Sequence, residues 1–262
     1  MTFGLDEVDA WTRGIWPGEM CVIAAPPKMG KSWMANFITY KAWDREQPTG
    51  IYTLENSIEM ATQRVAAIAC GVDVLGVMDG TLGPEDEDRI QTWIHEDLRR
   101  NDVPLLIMNP DSAGRTPESI VQSARANGLA NLVVDQLTHM EYARPQERLN
   151  RPTEIKEIAE GLRLGISTGR HRLSCVLIHQ VNREGLKHFR ATGRVEMDQL
   201  AEGAIERTAD LALALTATEV QRRTARVTLQ CLAARRVPPQ DFELNWMPEV
   251  GSVSVIGGVT EL

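Results

Sequence analysis

Met20-Cys-Val-Ile-Ala-Ala-Pro-Pro-Lys-Met-Gly-Lys-Ser32 is the stretch from which the rest of the chain is read. Its first half, Met20–Ala25, is an apolar run of strand length. Its second half ends in Gly-Lys-Ser, and the spacing beyond predicts a helix over Gly30–Asp44. A strand that turns through such a loop into a helix is built to hold phosphate. Consecutive backbone N–H groups point inward and the helix presents its positive end. Ala25, Pro26, Pro27, Lys28, Met29, Gly30, Lys31 and Ser32 are therefore the expected ATP-binding residues. Ala25 stands where the pattern G-x-x-x-x-G-K-[ST] has its first glycine. Gly30 lets the backbone approach the phosphates, Lys31 places charge between the β- and γ-phosphates, and the Ser32 hydroxyl is a ligand for Mg2+.

Outward from this loop, apolar runs alternate with helical periodicity. Strands are expected at Gly50–Leu54, Pro104–Met108, Asn131–Asp135 and Leu173–Ile178. Helices are expected at Ser57–Cys70, Glu85–Arg100, Pro117–Asn127 and Thr153–Thr168. The alternation implies an α/β fold with a mainly parallel sheet flanked by helices. After Leu200 the helices shorten, and strand candidates follow at Leu211–Leu215, Ala225–Ala233, Phe242–Trp246 and Val253–Ile256. These read as an antiparallel extension at one sheet edge. Thr138–Pro152 and Glu184–Met197 read as loops, being polar and placed directly after strands. One domain is expected over 1–262, with an opening segment 1–20, a core 20–200 and a β extension 201–262.

Two strand-end carboxylates complete the chemistry. Asn131-Leu-Val-Val-Asp135 is an apolar strand ending in an acid. By itself that also describes a solvated aspartate; with the phosphate loop upstream, Asp135 becomes the second Mg2+ ligand. Glu55 closes the strand Gly50–Leu54, and ligands of open parallel sheets gather at the carboxyl ends of strands. Glu55 is the expected base for the attacking water, against the alternative of an acid at the start of the following helix. Gln180, after Leu173–Ile178, can hydrogen-bond the γ-phosphate or the water and report nucleotide state.

The 262 residues are 43% hydrophobic and 24% charged, ordinary for a chain that buries one substantial core. The net charge of −8 gives no global sign of a nucleic-acid binder, so any such contact must be a local basic surface. Cys21, Cys70, Cys175 and Cys231 form no CxxC pair, which argues against a zinc site or a disulfide framework. Met1 leads into polar sequence without a signal peptide, and the apolar runs are too short to span a bilayer. A cytoplasmic location is expected, bacterial or, for a phage-encoded chain, in the host.

Together these motifs resemble the motor domain of DnaB-type replicative helicases, within the RecA-like ATPases. Phe3-Gly-Leu-Asp6 and Gly14-Ile-Trp-Pro-Gly-Glu-Met20 resemble the family's segment before the phosphate loop, and Ala24–Ser32 its Walker A. Thr53-Leu-Glu55 is similar to its S-L-E motif, and Val133-Val-Asp-Gln-Leu137 to its Walker B, with Gln136 where Tyr is usual. His179-Gln180-Val-Asn-Arg183 resembles S-Q-L-N-R, and Gly203-Ala-Ile-Glu-Arg-Thr-Ala-Asp210 resembles G-x-I-E-x-x-A-D. The late K-N-R-N-G-like segment reads Ala234-Arg-Arg-Val-Pro238: Arg236 takes the arginine-finger position, and Arg235 neighbours the lost lysine. RadA-type ATPases share much of this core.

The resemblance implies an oligomeric ring or filament with ATP at subunit interfaces, acting on single-stranded or forked DNA with replication or repair partner proteins. It begins at Met1, so the family's amino-terminal helical domain is expected to be missing. The implied DNA segment is Glu184–Asp198, with Arg183, Lys187, Arg190 and Arg194 on phosphates and Phe189 available to stack on a base. A second loop carries Arg144, Arg148 and Arg151 beside Glu141 and Glu147. The expected function is a DNA-dependent ATPase, a helicase or translocase. The alternatives are a RadA- or RecA-like ATPase on branched DNA, a nuclease on this core, and a nucleotide-gated DNA-binding or loader module.

Overall fold

The computed structural model describes residues 1–143, 149–200 and 204–259. Among the described residues nine strands run in chain order: Met20–Ala25 (β1), Thr49–Thr53 (β2), Leu105–Met108 (β3), Asn131–Asp135 (β4), Ser174–Gln180 (β5), Leu211–Thr216 (β6), Arg226–Ala234 (β7), Asp241–Met247 (β8) and Ser252–Val259 (β9). They form one sheet in the order β3-β2-β4-β5-β1-β6-β7-β8-β9. The first six strands are parallel and the last three antiparallel. β1, β2 and β4 are buried along their whole length. That burial on both faces is why each reads as an unbroken apolar run.

The helices are Asp6–Thr12 (α1), Lys31–Asp44 (α2), Ile58–Cys70 (α3), Val74–Asp79 (α4), Pro84–Thr92 (α5), Leu98–Arg100 (α6), Pro117–Ala126 (α7), Arg151–Ser167 (α8), Arg183–Thr192 (α9), Ala204–Thr208 (α10) and Glu219–Arg223 (α11). α2 packs over β1, β2, β4 and β5, which fixes the phosphate loop against the centre of the sheet. Side-chain caps set several starts. Ser57 accepts from Met60 N–H at α3, Asn150 from Thr153 N–H at α8, and Asn182 from Gly185 N–H at α9.

Four expectations are corrected. Leu211–Leu215 does not belong to the antiparallel extension, because β6 pairs parallel with β1; only β7, β8 and β9 are antiparallel. Strand five runs beyond Ile178 to Gln180, so His179 and Gln180 are ladder residues at its end. Glu85–Arg100 is not one α-helix, because a π-helical turn at Trp93–Asp97 interrupts it. Glu184–Met197 is not a loop throughout, since α9 occupies most of it. Cys21, Cys175 and Cys231 are buried core residues. Among the described residues no helix is long and apolar enough to cross a membrane.

Candidate active site

β1 delivers Ala25 to the carboxyl edge of the sheet, and the chain turns through Pro26–Gly30 into α2. Lys28 (φ 60°) and Gly30 (φ 85°) take left-handed backbone conformations that wrap the loop. Gly30 is required twice over. Its φ disfavours any side chain, and a Cβ there would lie 2.5 Å from the Trp246 ring. Trp246, from the end of β8, also meets Trp33 edge to face, with ring centroids 4.9 Å apart. Two tryptophans thus wall the flank of the loop. Lys31 is buried beneath it.

The carboxylate set lies on β4 and β2. Asp135 is fully buried at the end of β4, and its Oδ1 has no hydrogen-bond partner among the described residues. Burial pushes its carboxyl above the usual range, and the Glu55 charge pushes the same way; a Ser32 hydrogen bond, Lys31 and Arg64 pull it down. The Asn56 side-chain amide lies 3.3 Å from Ser32 Oγ and 3.4 Å from Asp135 Oδ2. Asn56 is itself held by its carbonyl, which accepts from Asn109 Nδ2 at 3.0 Å and Thr53 Oγ1 at 3.2 Å. Two oxygens therefore converge on one donor, beside a carboxylate oxygen that lacks a partner. This donor set suits a small hard cation, so Ser32 and Asp135 fit Mg2+.

Glu55 is exposed just past β2, and its backbone N–H donates to the Asp135 carbonyl at 3.2 Å. The ends of β2 and β4 are thereby stitched together. Arg64 of α3 is near enough to Asp135 and Glu55 for both charges to act on it. Burial draws its guanidinium below its usual range, the charges of Asp135 and Glu55 oppose this, and its Nη1 is buried without a partner among the described residues.

β5 lies between β4 and β1, and its last residues flank the loop. Gln180 is in register with Ala25, and His179 with Ala24. His179 is buried, and burial together with the charge of Lys31 pushes its imidazole down to about 4. Beyond them opens a cavity of about 530 Å³ lined by Thr138, Arg151, Gln180, Asn182 and Arg183, among others.

The expected DNA residues occupy α9 and the turn after it. Arg183, Lys187 and Arg190 are exposed at helical spacing i, i+4, i+7, which places them on one stripe. Arg194 is exposed but tied to Asp241 at 2.9 Å. Phe189 is only 7% exposed, so the expected base-stacking role is corrected: it anchors α9 to the core. Arg151 reaches Thr138 O at 2.6 Å and Glu154 at 3.0 Å. Arg144, Glu147, Arg148 and Gly203 lie outside the described residues.

Arg236 sits at the opposite end of the sheet. β7 ends at Ala234, level with Leu211 and hence with Cys21, near the amino end of β1. β1 spans roughly 16 Å at about 3.3 Å per residue, so Arg236 cannot reach the loop of its own chain. It is bound to Glu19 at 2.7 Å. Arg235 is engaged by Asp210 at 3.1 Å and the Arg207 carbonyl at 2.8 Å.

Asn56, Arg64 and Trp246 carry no sequence motif that marks them for the site. Asn56 has one available signal, its place directly after Glu55; the other two meet the loop only through tertiary packing.

A parallel sheet with the loop after its central strand and two acids at neighbouring strand ends defines a RecA-like phosphate-loop domain. The model of the family "DnaB-like helicase C terminal domain" matches residues 1–253. The chain belongs to this family. It is similar to the replicative DNA helicase DnaB of Haemophilus influenzae (strain ATCC 51907 / DSM 11121 / KW20 / Rd), with 29% identity over 227 residues, 84% of this chain and 47% of that protein. The chain thus spans about half the length of the helicases it matches. In fold it is similar to a separately solved ATPase domain, with TM-score 0.84 and 20% identity, covering 97% of this chain and 90% of that one. A DnaB-like replicative helicase solved in a study of its interactions with primase gives TM-score 0.83 and 20% identity, over 97% of this chain and 60% of that one.

Proposed function

We propose that this chain is the motor domain of a DNA-dependent ATPase that moves along single-stranded DNA as a DnaB-type helicase or translocase. The observation that carries the reading is the convergence of Ser32 Oγ and the Asp135 carboxylate on the Asn56 amide beside the loop. Ser32 and Asp135 would hold Mg2+, which would supply charge neutralisation for the phosphates when bound. Residues 25–32 offer backbone N–H groups and the start of α2 to the phosphates, and Lys31 grips them. Trp246 walls the base side. Glu55 orients and deprotonates the attacking water, with Arg64 near it fixing its place. Gln180, in register with the first loop residue, relays occupancy to α9 through the strand end they share.

The single strand follows the α9 stripe of Arg183, Lys187 and Arg190, with Arg194 released from Asp241 or contributing at its margin. The adjoining cavity, flanked by Arg151 and Arg183, extends this path. Contacts of this kind bind phosphate without reading sequence. ATP lies between subunits of a homo-oligomer and Arg236 reaches the neighbour's nucleotide, in keeping with its remoteness from its own loop. The domain is one unit over 1–262, works in the cytoplasm, and has replication proteins as partners.

The test is phosphate release with and without single-stranded, forked and duplex DNA, together with the mass of the assembly. Stimulation by single-stranded DNA, with an oligomeric mass, is expected. Lys31→Ala lowers turnover roughly 10²-fold or more, with circular dichroism unchanged. ATP turnover retained by Lys31→Ala refutes the site, and a rate indifferent to DNA favours a nucleotide-gated binding module.

A further inference from the structure

The sequence Trp16-Pro-Gly-Glu19 folds into a turn closed by Glu19 N–H to the Trp16 carbonyl at 2.9 Å. The Glu19 carboxylate folds back to accept the Trp16 backbone N–H, also at 2.9 Å. The turn is therefore internally braced, and it carries a carboxylate and an indole on one side. Arg236 lies against both. Its Nε is 2.7 Å from Glu19 Oε1, and its Nη2 is 2.9 Å from Glu19 Oε2 and 2.9 Å from the Gly14 carbonyl. Its guanidinium carbon lies 4.2 Å from the centre of the Trp16 ring.

A guanidinium has one N–H on Nε and two on each Nη. These contacts use the Nε donor and both Nη2 donors. The Trp16 ring covers one face of the plane, so the fork is fixed, and none of these contacts uses its Nη1 edge. Swinging Arg236 away would strand the Glu19 carboxylate, whose side chain is only 18% exposed, without its cation. Lysine could not be held this way, having neither the bidentate fork nor the flat face.

We infer that Glu19 and Trp16 are positioning residues for Arg236: they hold its guanidinium as a rigid fork whose Nη1 edge is presented, without release, to the nucleotide of a neighbouring copy. The inference rests on the proposal that Arg236 acts in trans. It deepens that proposal by replacing a mobile finger with a pre-organised one. Pre-organised donors need no reorientation as charge develops at the reacting phosphate.

The test uses subunit mixing. Lys31→Ala subunits lack turnover of their own but carry an intact Arg236, Glu19 and Trp16. Glu19→Gln keeps the side-chain shape and weakens the clamp. It should lower kcat for ATP roughly 10- to 100-fold, the scale of a misplaced catalytic group, with KM little changed. Equimolar mixing with Lys31→Ala subunits should restore turnover severalfold, because the added subunits supply correctly held arginines. Trp16→Ala, at a residue 51% exposed, should show a smaller loss with the same rescue, and it carries the test should Glu19→Gln fail to fold. A purely structural role for these residues predicts no rescue. Unchanged kcat in both variants overturns the inference. So does a loss that mixing fails to repair while Arg236→Ala is repaired. If Arg236→Ala itself is not repaired by Lys31→Ala subunits, the trans reading fails first and takes the clamp with it.

Discussion

Asn56 Nδ2 donates to Asp135 Oδ2 at 3.4 Å, across the gap between the ends of β2 and β4. The same amide reaches Ser32 Oγ at 3.3 Å, so one neutral group links the two oxygens assigned to the cation. Asn56→Ala should destabilise the nucleotide-free protein by about 1–2 kcal/mol, since a buried acceptor loses its donor. With Mg2+ and a non-hydrolysable ATP analogue the deficit should shrink, because the cation then takes both oxygens. Thermal unfolding with and without the ligands measures this. An equal deficit in both conditions would separate Asn56 from the cation site.

Trp246 and Trp33 report on the loop directly, since the Trp246 ring lies against Gly30. Nucleotide binding should alter the intrinsic fluorescence. Trp246→Ala should weaken nucleotide binding by roughly tenfold, within the ~1–3 kcal/mol of base–aromatic stacking. Gly30→Ala should abolish binding through both its backbone strain and the collision with the ring. Unchanged affinity in Trp246→Ala would move the base elsewhere.

The depressed His179 predicts a pH signature. Its imidazole titrates near 6.5 in an unfolded chain and is held down to about 4 in the fold. Between those values the unfolded chain binds a proton that the folded chain refuses. Stability should therefore fall as pH drops from about 6.5 towards 4 and level off below, by about 3 kcal/mol in all. His179→Gln should flatten that part of the urea-unfolding profile. A profile identical to wild type would mean that His179 is not the group responsible.

Replacing Arg183, Lys187 and Arg190 by alanine should weaken single-strand binding without altering nucleotide affinity. The slope of log K against log salt should flatten by ~0.7 for each phosphate that is no longer neutralised. Fluorescence anisotropy over a salt series reads this. An unaltered slope would take α9 out of the DNA path.

The nucleotide core is legible in the sequence because its strands are buried on both faces and the Gly-Lys-Ser loop sits between a strand and a helix. β6 is legible as a strand but not in its direction. Its partner β1 lies some 190 residues earlier, and periodicity carries no record of which neighbour a strand chooses. α9 is hidden for a local reason. Its only large apolar residues are Leu186 and Phe189, and Gly185 looks like a loop residue. Gly185 is there for packing: a Cβ would lie 2.4 Å from Val181 Cγ1. The caps Asn182 and Gly193 are the signal that marks the helix.

The site is half legible. Asp135 and Gln180 announce themselves by ending strands, and Glu55 by closely following one, next to the loop strand or one another. Arg64 and Trp246 do not, because each reaches the site from an element whose own pattern is that of an ordinary helix or edge-region strand. Arg236 can be named from its motif, but not its clamp, which joins it to a turn more than 200 residues away.

The most direct measurement is a crystal structure with Mg2+ and a non-hydrolysable ATP analogue. The triphosphate should lie on the backbone of residues 25–32, the cation between Ser32 and Asp135 with Asn56 displaced from both, and the Glu55 carboxylate should turn to the γ-phosphate. A nucleotide bound away from that loop, or Glu55 directed into solvent with the cation off Asp135, would contradict the assignment.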